Sequence, residues 1–159
     1  MSYFRNTQER TENTMNSFIR LTIPARAEFI DVVRLTLFGI ANKAGFSYEE
    51  IEDMKVAVTE ACTNVVLHAY SNAQPGVVDI RFEIEEEGIS IRIKDEGTSF
   101  KYEPASKSAS LHDKELNEIS AGGLGLFMMH ALMDKVEVFS EKGTEVILTK
   151  LFGRKEEMA

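Results

Sequence analysis

Glu60, Asn64 and His68 fall four residues apart in a stretch with helical periodicity. On a helix that spacing stacks the three on one face. At about 100° per residue they lie beside or away from the apolar stripe of Ile51, Val58, Cys62 and Val65. A solvated polar edge is the plain account of such a triplet. Asparagine is, however, a poor residue for a helix interior, because its side chain competes for backbone hydrogen bonds. An amide oxygen placed there can ligate a hard cation such as Mg²⁺. A carboxylate one turn earlier can act as a base or orient a hydroxyl.

Three further groups carry less specific signals. Asp95-Glu96-Gly97 is common turn chemistry at a strand end. A buried Asp there can also accept the exocyclic amine of a purine, with Gly97 admitting the base to the backbone. Gly122-Gly123-Leu124-Gly125 opens a predicted helix, where free N–H groups and the helix dipole favour an anion. A hinge at the end of a long loop explains the same glycines equally well. The run is no Walker A loop, since no Gly-Lys-Ser/Thr follows, and it lacks the spacing and preceding strand of a dinucleotide fingerprint. Gly143-Thr144, taken alone, is a turn. Cys62 and Met128, Met129 and Met133 read as core, and His112 and His130 have no partners at metal spacing.

The elements that must hold these groups follow from periodicity. Ile19, Leu21 and Ile23 alternate with polar residues up to Pro24, which predicts a strand from Ser17. Glu28 to Ala44 has helical spacing and Gly45 as its stop. Ser47 and Glu50 form a capping box ahead of a helix to about Tyr70, closed by Asn72, Pro75 and Gly76. Val78 to Ile84 and Ile89 to Ile93 alternate as a hairpin, with Gly88 expected to supply the positive φ of its turn and Glu85 to Glu87 its solvated tip. Periodicity then collapses over 98–121, a length that more often marks a functional lid than a connector. Leu111, Leu116 and Ile119 suggest a short helix within it. A helix to about Met133 and strands at Lys135 to Ser140 and Thr144 to Leu151 complete the chain. The order β-α-α-β-β-lid-α-β-β predicts an α+β two-layer sandwich, helices on one face of a mixed, mostly antiparallel sheet.

Composition narrows the function. Among 159 residues, 18 Lys and Arg face 26 Asp and Glu, for a net charge of -8. That balance disfavours a nucleic-acid binder, which needs surplus cations for phosphates. With 43% apolar and 28% charged residues and only 3 prolines, the chain has a globular composition. A single cysteine excludes an internal disulfide and a cysteine-based zinc cluster. No apolar run approaches the roughly 20 residues of a membrane helix, and Met1 to Asn16 lacks a signal peptide's apolar stretch. The expected compartment is the cytoplasm. The expected organisation is a flexible arm over 1–16, one domain over 17–152 with its lid at 98–121, and a polar tail over 153–159.

The order of the motifs is more specific than any one of them. Glu-x-x-x-Asn-x-x-x-His on a helix, Asp-x-Gly after a strand, a glycine turn behind a lid, and Gly-Thr before a last strand resemble the GHKL ATPase superfamily from about Ser17 to Leu151. A free-standing domain of this size is similar to the bacterial anti-sigma-factor serine kinases. The text EIEDMKVAVTEACTNVVLHAY and GGLGLFMMHALMDKVEV resembles the branch that acts on the general-stress sigma factor, sigma-B, ahead of the sporulation sigma-F branch. The resemblance implies the Bergerat ATP-binding fold, MgATP as cofactor, and a homodimer. It implies two partners, a sigma factor that is sequestered and a STAS-domain anti-anti-sigma protein that is phosphorylated on serine. A nucleotide-gated sigma-binding module without kinase activity is the alternative. By position, Asn64 would hold Mg²⁺ and Glu60 would be the base or orient the serine hydroxyl. Asp95 would recognise adenine with Gly97 beneath the base and Thr144 in support. Gly122, Gly123 and Gly125 would serve the phosphates, and His68, which ends the helix motif, would either be structural or line the site. One departure is in the lid: where some relatives carry an Arg before the glycine turn, Ser120 and Ala121 stand here, which leaves Lys101, Lys107 and Lys114 as candidate cations.

Overall fold

Ser47 starts the central helix as its sequence demands. Its Oγ accepts from the Glu50 N–H at 3.2 Å, and Glu50 Oε2 accepts from the Ser47 N–H at 2.7 Å. Two orphan donors of the first turn are thereby satisfied. The helix so begun, α2 in the order below, runs from Tyr48 to His68. Replacing Ser47 with Ala should lower the unfolding free energy by about 1 kcal/mol, read as a shift in the urea midpoint at unchanged slope.

The computed structural model describes residues 17–70, 76–97 and 121–153. The expected arm, the lid up to Ser120 with its short helix, its lysines and His112, the helix-ending Asn72 and Pro75, and the tail beyond Gly153 lie outside the described residues. In chain order the elements are β1 (Phe18–Pro24), α1 (Ile30–Ala44), α2, β2 (Val77–Ile84), β3 (Gly88–Asp95), α3 (Ala121–Leu132), β4 (Lys135–Phe139) and β5 (Thr144–Leu151). A single 3-10 turn at Ala27–Phe29 precedes α1, so this helix begins two residues later than its periodicity predicts. Tight turns of this kind are frequent at helix starts. Gly45 ends α1 in the left-handed conformation, as expected.

The strands form one sheet in the order β1-β2-β3-β5-β4. Every pairing among the described residues is antiparallel, so the α+β sandwich is as expected, with an antiparallel sheet where a mixed one is predicted. Ile23, Val78, Ile80, Phe82, Ile89, Ile91, Ile93, Val146 and Leu148 are buried on its inner face. Against them α2 is sandwiched between α1 and α3. The whole predicted stripe of α2, Ile51, Met54, Val58, Cys62, Val65 and Ala69, is buried. The outer face carries ion pairs between Arg20 and Asp79, Arg92 and Glu145, and Lys135 and Glu137. Among the described residues no helix is long and apolar enough to cross a membrane.

Gly88 corrects an expectation. Its φ is not positive, so it does not supply the left-handed turn predicted for the hairpin. It is instead the first residue of β3, paired with Leu151. A Cβ there would sit 2.1 Å from the Lys150 carbonyl oxygen. The glycine is required by the close approach of two backbones. Glu85 to Glu87 are exposed, as a hairpin tip should be.

Candidate functional site

Asn64 is 4% exposed although it belongs to the polar triplet of α2. The reason is α3, which packs along this side of the helix and covers what the sequence alone leaves as a possible solvated edge. The contact is close because α3 presents a glycine. A Cβ on Gly125 would lie 3.0 Å from Glu60 Oε2 and 3.4 Å from Asn64 Nδ2. Glu60, Asn64 and Gly125, three candidates from two distant motifs, thus form one cluster. His68, one turn further, is exposed and stands beside rather than within it. Gly122 and Gly123 lie in the first turn of α3, where the backbone N–H groups have no partner inside the helix. The far end of α3 is tied down: Lys150 Nζ donates to the Leu132 carbonyl at 2.9 Å, and the Leu151 N–H donates to Asp134 Oδ2 at 2.7 Å.

A second cluster sits where β3 and β5 meet the end of α2. Asp95 and Thr144 are register partners across the two strands, and they are 1% and 2% exposed. Asp95 Oδ1 accepts from the Gly97 N–H at 2.9 Å. Its Oδ2 and Thr144 Oγ1 are buried with no hydrogen-bond partner among the described residues. Buried polar atoms are nearly always paired, so two orphans on register partners are open to a ligand group or a bound water. Burial pushes the Asp95 carboxyl above the usual carboxylate range, and the N–H groups of Gly97 and Thr144 oppose that shift.

Glycines make this second cluster possible too. A Cβ on Gly97 would fall 2.0 Å from the Ala69 carbonyl oxygen, at the C-cap of α2. Gly143 has φ +74° and lies so close to the Asp95 carbonyl that a Cβ would come within 2.0 Å of its oxygen. From sequence Gly143 is only a turn residue; the clue available there is a glycine directly before a strand that must pair with the Asp95 strand. Tyr70, which bridges two strands beside the pocket, carries no sequence signal at all. Cys62 is inert packing, as expected, with its thiol pushed up to about 12 by burial.

The two clusters share α2. Five residues separate Asn64 from Ala69, about 7.5 Å of helix rise. One carries an acid and an amide beside a glycine-rich helix start; the other carries an acid with an unfilled acceptor. The first suits phosphates and a divalent cation, the second a purine amine. Among the described residues no group of three or more His, Cys, Asp or Glu is placed to hold a metal ion. A cation at Asn64 would therefore draw further ligands from phosphate oxygens and water, the usual arrangement for Mg²⁺.

This fold and site define a histidine kinase-like ATPase domain, the family whose model matches residues 23–150, and the chain belongs to that family. Its curated relatives are more particular. It is 46% identical over 136 residues to the serine-protein kinase RsbW of Staphylococcus aureus strain Newman, covering 84% of this chain and 86% of the relative. It is 40% identical over 140 residues to the serine-protein kinase RsbW of Bacillus velezensis, covering 87% and 88%. The same fold recurs in the crystal structure of the RsbU and RsbW domains of a Mycobacterium tuberculosis protein. There the TM-score is 0.62 at 19% identity, over 85% of this chain and 32% of that one. It recurs again in the histidine kinase domain of a blue-light activated kinase from Erythrobacter litoralis, with a TM-score of 0.51 at 16% identity over 82% and 62%.

Proposed function

We propose that this chain is an ATP-dependent serine-protein kinase that also acts as an anti-sigma factor. It holds a sigma-B-type factor away from RNA polymerase and phosphorylates a serine of a STAS-domain, RsbV-like protein that competes for the same kinase. The reading rests on the resemblance of the whole motif set to the anti-sigma kinases and on relatives named serine-protein kinase. The single structural observation that carries its nucleotide half is the pair of unpartnered buried oxygens, Asp95 Oδ2 and Thr144 Oγ1. They would meet the exocyclic amine of adenine, while Gly97 and Gly143 let the turn and the start of β5 pack against the Ala69 and Asp95 carbonyls. Working on a sigma factor, the protein acts in the cytoplasm, as a homodimer by analogy with the kinases it resembles.

MgATP, when bound, supplies the γ-phosphoryl group and a cation that offsets its charge. Asn64 would hold the cation through its amide oxygen. The first-turn N–H groups of α3, at Gly122 and Gly123, would serve the phosphates, and Gly125 lets α3 come against Glu60 and Asn64. Glu60 takes the proton from the incoming serine hydroxyl or holds that hydroxyl in line. Phosphoryl transfer relies on such alignment and charge placement more than on covalent chemistry. The new phosphoserine brings charge and strong hydration to the partner's docking face, which releases it and leaves the kinase to the sigma factor.

The test begins with co-purification from the native cell and identification of bound proteins by mass spectrometry. The recovered STAS protein is then incubated with the purified chain and γ-labelled ATP. Label on a serine, together with capture of the sigma factor once that serine is phosphorylated, is the expected result. ATP binding without label transfer would leave a nucleotide-gated sigma-binding module. Recovery of the sporulation sigma factor would assign the sigma-F branch, and failure to bind MgATP would overturn the reading.

A further inference from the structure

Tyr70 joins three elements at the edge of the purine pocket. It follows Ala69, the C-cap of α2. Its hydroxyl donates to the Val77 carbonyl at 2.9 Å, where β2 begins, and accepts from the Glu96 N–H at 3.0 Å, directly after Asp95. The last ladder position of β3 is Asp95, opposite Val78 and Thr144, so the Glu96 N–H must find its acceptor outside the sheet. The Asp95-Glu96-Gly97 turn is therefore held by two bonds. One is its own, from the Gly97 N–H to Asp95 Oδ1; the other is from Glu96 to Tyr70. The ring is fixed in turn by Gly76, where a Cβ would fall 2.2 Å from its Cε1 and Cζ atoms. Gly76 cannot retreat freely, because its carbonyl accepts from the Ala25 N–H at 2.9 Å.

We infer that Tyr70 is a positioning residue for base recognition: through the Glu96 N–H it fixes the turn that aims Asp95 Oδ2 at the exocyclic amine. The inference rests on the adenine reading of Asp95. A hydrogen bond is directional, and a recognition group loses its effect once it strays by about 0.5 Å or 10–20°. Removing the Tyr70 hydroxyl frees the Glu96 N–H while leaving the ring and the rest of the pocket in place. The loss then falls on the amine contact and not on the phosphate contacts at Asn64 and α3.

Tyr70→Phe in the full chain tests this by calorimetric titration with ATP and with purine riboside triphosphate, which lacks the 6-amino group. The native chain should prefer ATP. In the variant, ATP affinity should fall about tenfold while affinity for the amine-free analogue stays unchanged, so the preference disappears. Gly76→Ala, which must displace the same ring, should produce the same selective loss and keeps the test open if the first variant folds poorly. Equal losses for both nucleotides, or no loss for ATP, would reduce Tyr70 to a structural bridge and overturn the inference. A native chain that does not distinguish the two nucleotides would instead remove the adenine reading of Asp95, and the inference with it.

Discussion

Replacing Glu60 with Gln should slow phosphoryl transfer to the partner serine by about 10²- to 10⁴-fold, the range that general acid–base groups supply. ATP affinity should stay within roughly twofold of native, since an interaction made only with the reacting hydroxyl does not hold the ground state. The substitution suits the geometry. Gly125 brings the α3 backbone so close that a Cβ there would lie 3.0 Å from Glu60 Oε2, so a substitution at position 60 that keeps the side chain's shape disturbs this contact least. Glutamine keeps the shape of glutamate while removing its charge and its ability to take up a proton. Single-turnover transfer from γ-labelled ATP, with binding measured separately by titration, divides the two effects. Native transfer in the variant would remove Glu60 from the chemistry. A matching loss of ATP affinity would show that it serves to hold the nucleotide. A variant that still captures the sigma factor with ATP bound would separate sequestration from catalysis in one protein.

What the sequence discloses and what it conceals divide along a physical line. The capping box at Ser47 and Glu50, the α2 stripe and the β2–β3 alternation are local patterns. Each is set by the residues' own neighbours along the chain, and each stands in the fold where the periodicity puts it. The spacing of Glu60 and Asn64 is visible for the same reason. Periodicity reports a face, however, and not what covers it. The burial of Asn64 depends on α3, which is far along the chain and packs directly on α2 in the fold. Gly88 shows the limit most clearly: a glycine before a strand suggests a turn, while the actual demand comes from the Lys150 carbonyl, some sixty positions away. Gly143 is the reverse case, a turn glycine whose left-handed φ also lets the β5 strand start against Asp95. Tyr70 has no local signature, because its role consists of hydrogen bonds to the start of β2 and to the turn after β3. The pocket's parts can be read from the sequence more readily than the contacts that aim them.

Asp95→Asn should weaken ATP binding by roughly 100-fold, the cost of losing a bond to a charged acceptor and facing the ligand with the wrong group. The direction of the new amide is determined by the protein. The Gly97 N–H donates to Oδ1 of this side chain, so the amide oxygen takes the place of Oδ1. The NH₂ group is then forced into the position of Oδ2, where it meets the adenine amine donor to donor. The same change should stabilise the nucleotide-free fold at neutral pH. Burial raises the Asp95 carboxyl above its ordinary value, so the native state binds its proton more tightly than the unfolded chain does. The charge therefore costs stability, and that cost grows as pH rises through the raised value. Asparagine carries no such cost. Its unfolding temperature should exceed that of the native chain at neutral pH, and the gap should close as pH falls and Asp95 becomes protonated. ATP affinity of the native chain should decline over that same acidic interval, because the proton and the adenine amine compete for Oδ2. Calorimetric titration and thermal unfolding across acidic to neutral buffers measure both. Unchanged ATP affinity in the variant would remove Asp95 from base recognition. An unfolding temperature below native at neutral pH would show that the carboxylate supports the empty fold, and that its burial serves packing before binding.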